Sequence, residues 1–341
     1  MKTVLYPMLY ALCPMPSKEM TIPHSASSIL HPVEAGRPRI IVICGPTAAG
    51  KTAAGIEVAR AVGGEIVSAD SMQVYRYMDI GTAKPTAAEQ AAVRHHLIDV
   101  VDPDEPFDAA AYMTRARQVL AELIRRGRPP VVVGGTGLYI KALLYGLFRS
   151  EAHDPDVRAR LHAEADAAGA AALHARLKAC DPETAARLHP NDRVRILRAL
   201  EVFEVTGRPI SELQRGHRFG EAPFRALKIG LSLERETLYR QIDRRVEAML
   251  AAGLEAEVRG LLARGYGPQL KPMQSIGYSH MAACIAGRVD MGECIRTLQR
   301  DTRRFAKRQL TWFRADSGIV WMPPERVAES IRRAKAFLDL T

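Results

Sequence analysis

The sequence is poor in the features that mark secreted, zinc-bound and membrane-spanning proteins. Its 341 residues hold five cysteines, Cys13, Cys44, Cys180, Cys284 and Cys294, and no two form a C-x-x-C pair. That spacing excludes a disulfide framework or a zinc knuckle, and reads as scattered thiols in a reducing cytoplasm. No apolar run approaches the roughly 20 residues of a membrane-spanning helix. Acid is in deficit: 48 Lys and Arg face 38 Asp and Glu, a net charge of +10. The excess gathers late, with 32 basic against 25 acidic residues after position 150 and 16 against 13 up to it. A basic second half fits a polyanionic partner or a solvated surface, and charge alone does not choose. What is present is a globular composition, 47% hydrophobic, in a chain long enough for a sizeable core and two or three domains. Residues 1–36 stand apart. Pro7 and Pro14 interrupt their apolar stretch, no clean signal-cleavage site follows, and Met15 and Met20 are alternative starts. The segment reads as a disordered N-terminal extension.

The strongest local pattern begins at residue 39. An apolar run to Cys44 leads into Gly45, Pro46, Thr47, Ala48, Ala49, Gly50, Lys51 and Thr52, and an alanine-rich helical segment follows. This is G-x-x-x-x-G-K-T between a strand and a helix, the phosphate-binding loop. The glycines let successive N–H groups turn inward toward an anion. The helix N-terminus adds partial positive charge, Lys51 a full charge, and Thr52 a hydroxyl for Mg²⁺. The pattern specifies pyrophosphate and magnesium, and it does not specify ATP.

Further strands follow at 64–68 and 131–133. The first ends in Asp70, Ser71, Met72 and Gln73, the second in Gly134, Gly135 and Thr136 before another helix. In parallel α/β sheets, strand C-termini carry the chemistry, and loops from neighbouring strands face one ligand. Asp70 is therefore a candidate to bind Mg²⁺ or take a proton, and equally a helix N-cap. Thr136 is a phosphate-oxygen donor or a turn cap. His95 and His96 point to opposite sides of a strand and make a weak metal signal. Asp108 reads as the cap of a helix over 109–126. Residues 150–225 read as helical, with a basic stripe at Arg193, Arg195 and Arg198 and with Ile196, Leu197 and Leu200 facing inward. A strand at 226–233 rejoins the sheet and a long helix opens at Arg235. Residues 295–314 form a basic helix carrying Arg296, Arg300, Arg303, Arg304, Lys307 and Arg308, followed by Trp312. A last strand lies near 318–321.

The ordered set resembles the bacterial tRNA dimethylallyltransferase family over residues 39–323. It comprises the phosphate loop, Asp70 to Tyr75, Met78 to Lys84, His96 to Asp99, Gly134 to Tyr139, Asn191 to Val202, Gly277 with Tyr278, and Lys307 to Arg314. The resemblance implies an α/β fold with a P-loop NTPase-like parallel sheet and an inserted α-helical domain. It implies a core at 37–149, an insertion at 150–225 that closes on the tRNA anticodon stem-loop, and core completion at 226–341. It further implies dimethylallyl transfer from its pyrophosphate to the exocyclic amine of the adenine 3′ to the anticodon.

In that scheme Asp70 accepts the amine proton and Thr136 bonds the bridging oxygen. Gly45 to Thr52 and either Arg235 or Arg245 hold the pyrophosphate, and Thr52 binds Mg²⁺. The RNA contacts fall on Asp70, Ser71, Met72, Gln73, Thr136, Arg158, Arg193, Val194, Arg195, Ile196, Leu197, Gln274, Gly277 and Tyr278. Gln73 suits an adenine edge, and Tyr278 suits either stacking on an unstacked base or capping a helix and packing in the core. Position 72 departs from the family, being Met where many relatives have arginine, which puts a backbone contact there in doubt. The implied protein is a cytoplasmic monomer with no membrane segment. Three other readings remain. Transfer to free adenylate is disfavoured by the insertion and the basic helix, a P-loop kinase or NTPase by the lack of an apolar run ending in Asp, and an RNA-binding protein with a structural loop by Asp70 and Thr136.

Overall fold

The computed structural model describes residues 36–147, 154–217 and 222–340, so the N-terminal extension lies, but for its last residue, outside the described residues. The described chain forms two compact units. One is Tyr145–Ala222; the other comprises the residues up to Leu144 and those from Pro223 onward.

The larger unit is built on six strands: β1 (Arg39–Cys44), β2 (Glu65–Ser68), β3 (His95–His96), β4 (Pro130–Gly134), β5 (Arg225–Leu231) and β6 (Ile319–Met322). They lie in the order β3-β2-β4-β1-β5-β6, and every pairing is parallel. The central strands are apolar throughout because parallel sheets are covered on both faces. Alternation sends Ile41, Ile43, Val131, Val133, Ile229 and Leu231 into a core with helix α1 (Lys51–Ala61) and Ala334 of the C-terminal helix. The expected strands are all present within one to two residues. Helix α2 (Ala87–Ala92) was not expected; Thr86 and Glu89 close a reciprocal capping box at its start. Helix α3 (Ala109–Arg125) starts as read, with Asp108 accepting from the N–H groups of Ala110 and Ala111. Its Tyr112 stacks at 4.2 Å on Tyr139 of α4 (Gly137–Tyr145).

The smaller unit contains α5 (Pro155–Cys180), α6 (Pro182–Arg187), α7 (Arg193–Thr206) and α8 (Ile210–His217). Asp154 caps α5 and Pro155 opens it. Gly169, at φ 81° and ψ 164°, breaks α5 in two, matching the expected separate helices before and after it. Leu161, Leu173, Leu177, Ile196, Leu197 and Leu200 form this unit's own core.

After β5 the larger unit is completed by α9 (Arg235–Ala251), α10 (Leu254–Ala263), α11 (Tyr278–Ile285), α12 (Met291–Arg314) and α13 (Val327–Leu338). The thiols of Cys44, Cys180, Cys284 and Cys294 are free. Cys284 on α11 lies close enough to Cys294 on α12 to add to burial in raising the Cys294 pKa to about 11. No helix among the described residues is long and apolar enough to cross a membrane.

Candidate active site

Three neighbouring strands, β2, β4 and β1, end side by side, and each delivers one loop. After β1, the phosphate loop curls through positive φ at Gly45, Ala48 and Gly50. Ala48 adopts φ 63° without being glycine, so the loop holds local strain. Lys51 folds back over the loop and donates to the Pro46 carbonyl at 2.6 Å. Burial, then the nearby Arg245 charge, lower the Lys51 pKa to about 8, with Asp70 acting in the opposite sense.

After β2 the chain turns rather than forming a helix. Asp70 Oδ1 accepts from the N–H groups of Met72 at 2.8 Å and Gln73 at 3.3 Å. Capping geometry and an active-site position thus coexist, because only one carboxylate oxygen is spent on the turn. Oδ2 has no hydrogen-bond partner among the described residues and is left to accept a proton. After β4, Thr136, 6% exposed, accepts from Ser71 N–H at 2.9 Å and donates to Ser71 Oγ at 3.3 Å. The second glycine loop is thereby tied to the Asp70 turn. Lys51, Thr52, Ser68, Asp70, Gln73 and His95 line one pocket, completed by Ile66, Pro85, Val133 and Gly134. Gln73 is already engaged: its Oε1 accepts from Ser68 Oγ at 3.1 Å and its Nε2 donates to the Ala83 carbonyl at 3.2 Å. An adenine edge would have to compete with these bonds.

The Met78–Lys84 stretch proves to be a lock on this turn. Lys84, with a side chain only 5% exposed, bonds the Tyr75 carbonyl, Asp79 and Asp99. Glu257 of α10 accepts from the N–H groups of Asp79, Ile80 and Gly81 and from the Tyr278 hydroxyl, at 2.6–3.0 Å. This corrects the reading of Tyr278. Its ring is 0% exposed and packs where a Gly81 side chain would lie, so it cannot stack on a base. Gln274 is exposed and Gly277 is buried. The two histidines have separate protein partners: His95 Nδ1 bonds the Val93 carbonyl, and His96 pairs at 2.7 Å with Glu65.

The two candidate arginines differ in position. Arg245 donates to the Thr82 carbonyl at 3.5 Å, burial lowers its pKa, and the Asp70 charge counteracts this. Arg235 is exposed and lies over the Tyr239 ring. Among the described residues no three His, Cys, Asp or Glu side chains gather around a metal position. Thr52 and Asp70 line the same pocket. One hydroxyl and one carboxylate suit Mg²⁺, which keeps several waters and takes further oxygens from substrate phosphates.

This geometry is matched by known proteins. A family model described as IPP transferase matches residues 73–316. The tRNA dimethylallyltransferase of Desulfosudis oleivorans is 59% identical over 295 residues, 86% of this chain and 94% of that one. The chain belongs to the IPP transferase family. The tRNA dimethylallyltransferase of Syntrophobacter fumaroxidans is 58% identical over 282 residues, covering 83% and 82% of the two chains. Among solved structures, the tRNA isopentenylpyrophosphate transferase of Bacillus halodurans aligns with a TM-score of 0.67 at 40% identity, over 89% of this chain and 97% of that one. A eukaryotic dimethylallyltransferase acting on tRNA aligns at 0.74 and 26% identity, over 89% and 80%.

Within this IPP transferase chain, the insertion residues divide by burial. Ile196 and Leu197 lie in the core of the smaller unit, so the expectation that they touch RNA is corrected. Val194 is half-buried and lines a small pocket with Arg158, His162, Arg198 and Glu201. Arg193 pairs with Asp166 at 2.7 Å, and Arg195, exposed, pairs with Asp192. The basic helix is likewise less basic than its sequence. Arg296 pairs with Glu293, Arg300 and Arg304 with Asp301, and Arg303 with Asp243. Lys307, Arg308 and Arg314 make no ion pair among the described residues. Sequence reasoning assigned no role to Gln309 on the inner face of α12. At 7% exposure, its Oε1 accepts from Thr47 N–H at 2.8 Å and its Nε2 donates to the Gly135 carbonyl at 2.9 Å. The signal was available: a polar residue on the apolar side of a strongly amphipathic helix.

Proposed function

We propose that this chain transfers a dimethylallyl group from dimethylallyl pyrophosphate to tRNA, at the exocyclic amine of the adenine 3′ to the anticodon (position 37), releasing pyrophosphate. The observation that carries the reading is the convergence of the phosphate loop, the Asp70 turn and the Thr136 loop at adjacent ends of β1, β2 and β4. The loop amides from Gly50 to Thr52, Lys51 and Arg245 receive the pyrophosphate and spread its charge. Thr52 would hold Mg²⁺, with Asp70 close by; when bound, the ion supplies further neutralisation of the leaving group.

The allylic C–O bond breaks with its electron pair going to pyrophosphate. The adenine nitrogen lone pair forms the new C–N bond, and the proton on that nitrogen goes to Asp70 Oδ2. Thr136 steadies the Asp70 turn through Ser71, and its hydroxyl proton can swing to the bridging oxygen. The chemistry needs the adenine out of its stack. The cysteine spacing, with no C-x-x-C pair, fits a reducing, cytoplasmic site of action.

The test offers unmodified tRNA and a variant with guanine in place of the adenine 3′ to the anticodon, each with dimethylallyl pyrophosphate and Mg²⁺. Mass spectrometry of the digested RNA should find one added dimethylallyl group in the first and none in the second. Equal modification of both would remove the acceptor assignment.

A further inference from the structure

We infer that Gln309 is a positioning residue that sets the spacing between the phosphate loop and the Gly134–Thr136 loop, and through it the affinity for pyrophosphate; the inference rests on the function proposed above. A carboxamide is the neutral side-chain group here that accepts and donates at once in a fixed plane. Gln309 uses both ends, on the backbones of two different loops, in a nearly closed environment. The bonded N–H, at Thr47, immediately precedes the strained Ala48. That N–H shares a peptide unit with the Pro46 carbonyl, which accepts from Lys51 at 2.6 Å, so Gln309 and Lys51 grip the two sides of the peptide that leads into the positive φ of Ala48. The bond also takes Thr47 N–H out of the set facing a ligand, as the Pro46 carbonyl does Ala49 N–H, and leaves those from Gly50 to Thr52 for the anion.

The other end governs the second loop. A Cβ at Gly135 would lie 2.4 Å from Gln309 Nε2, so glycine there and glutamine on α12 are matched in shape. Thr136 follows directly, and its bond to Ser71 passes the position on to the Asp70 turn. The same helix presents Lys307 and Arg308 on its outer side. Donor loop and basic helix are therefore one mechanical piece, joined at Gln309.

The experiment measures calorimetric affinity for inorganic pyrophosphate with Mg²⁺, and steady-state transfer, for Gln309→Ala, the space-filling Gln309→Leu and Gly135→Ala. All three should bind pyrophosphate about tenfold more weakly, the scale of one or two lost hydrogen bonds. The KM for the donor should rise in step, while the KM for tRNA stays within about twofold. In the Gln309→Ala background, adding Gly135→Ala should cost less than it does alone, because the clash is gone. Gln309→Leu that melts like wild type and binds pyrophosphate like wild type overturns the inference. So does a loss confined to thermal stability. Wild-type protein that binds no pyrophosphate overturns the proposed function along with it; wild-type protein that binds and transfers while the variants match it overturns only the role of Gln309.

Discussion

Single side chains here hold two jobs, and the tests must separate them. Asp70 caps its own turn with Oδ1 and, in the proposed reaction, offers Oδ2 to the acceptor. Asp70→Asn keeps an oxygen for the turn but cannot take the proton. Its turnover should fall at least about a hundredfold while tRNA affinity, read by filter binding, changes little; equal losses in both would deny Asp70 its catalytic role. Lys51 gives a pH dependence whose sign is fixed. Its pKa in the folded protein is about 8, below the ordinary lysine value, so the charge that attracts pyrophosphate is present below pH 8 and lost as pH rises through it. kcat/KM for the donor should decline above pH 8, followed at constant ionic strength. The phosphate loop was legible from local spacing, whereas Asp70 and Thr136 stayed open between cap and chemistry on spacing alone and were singled out by the family resemblance. Whether Arg235 or Arg245 served the site was not legible. Both lie on one helix, and only the three-dimensional path of that helix brings Arg245 into electrostatic contact with Lys51 and Asp70.

At the scale of elements, the loop between β2 and β3 is held from outside. Glu257 satisfies three consecutive N–H groups and the buried Tyr278 hydroxyl, which burial and the Glu257 charge keep protonated. Glu257→Ala strands those donors and should lower unfolding free energy by about 2–4 kcal/mol, with the drop visible in urea denaturation; an unchanged midpoint would contradict the lock. The break in α5 offers a second check. Gly169 occupies backbone space open essentially to glycine alone, and Gly169→Ala should destabilise the smaller unit by about 1–3 kcal/mol. The strands were readable as apolar runs bounded by glycine and proline, and α3 by its Asp108 cap. The turn after Asp70 was not, since an Asp cap precedes helices and turns alike. Tyr278 stayed open between two readings for a related reason: a tyrosine after glycine looks the same whether it stacks on a base or fills a core.

Across the whole molecule, net positive charge overstates the surface available to RNA. Most arginines of α12 are already paired, whereas Lys307 and Arg308 are exposed and unpaired among the described residues. Lys307→Ala and Arg308→Ala should each reduce the salt dependence of tRNA binding by about one phosphate contact. Arg303→Ala should leave that slope unchanged, since Asp243 holds Arg303. Fold class was open to sequence reading because the apolar runs of β1 and β4 each lead into a glycine loop and a helix, but charge pairing across elements is a property of the folded chain. The claim on which the rest depends is that this one site moves a dimethylallyl group onto tRNA. The direct measurement gives labelled dimethylallyl pyrophosphate and Mg²⁺ to the protein with unmodified tRNA, with AMP, or with no acceptor, and follows ATP hydrolysis in parallel. Label should appear in tRNA alone. Label in AMP, or ATP hydrolysis with no transfer, would contradict the account.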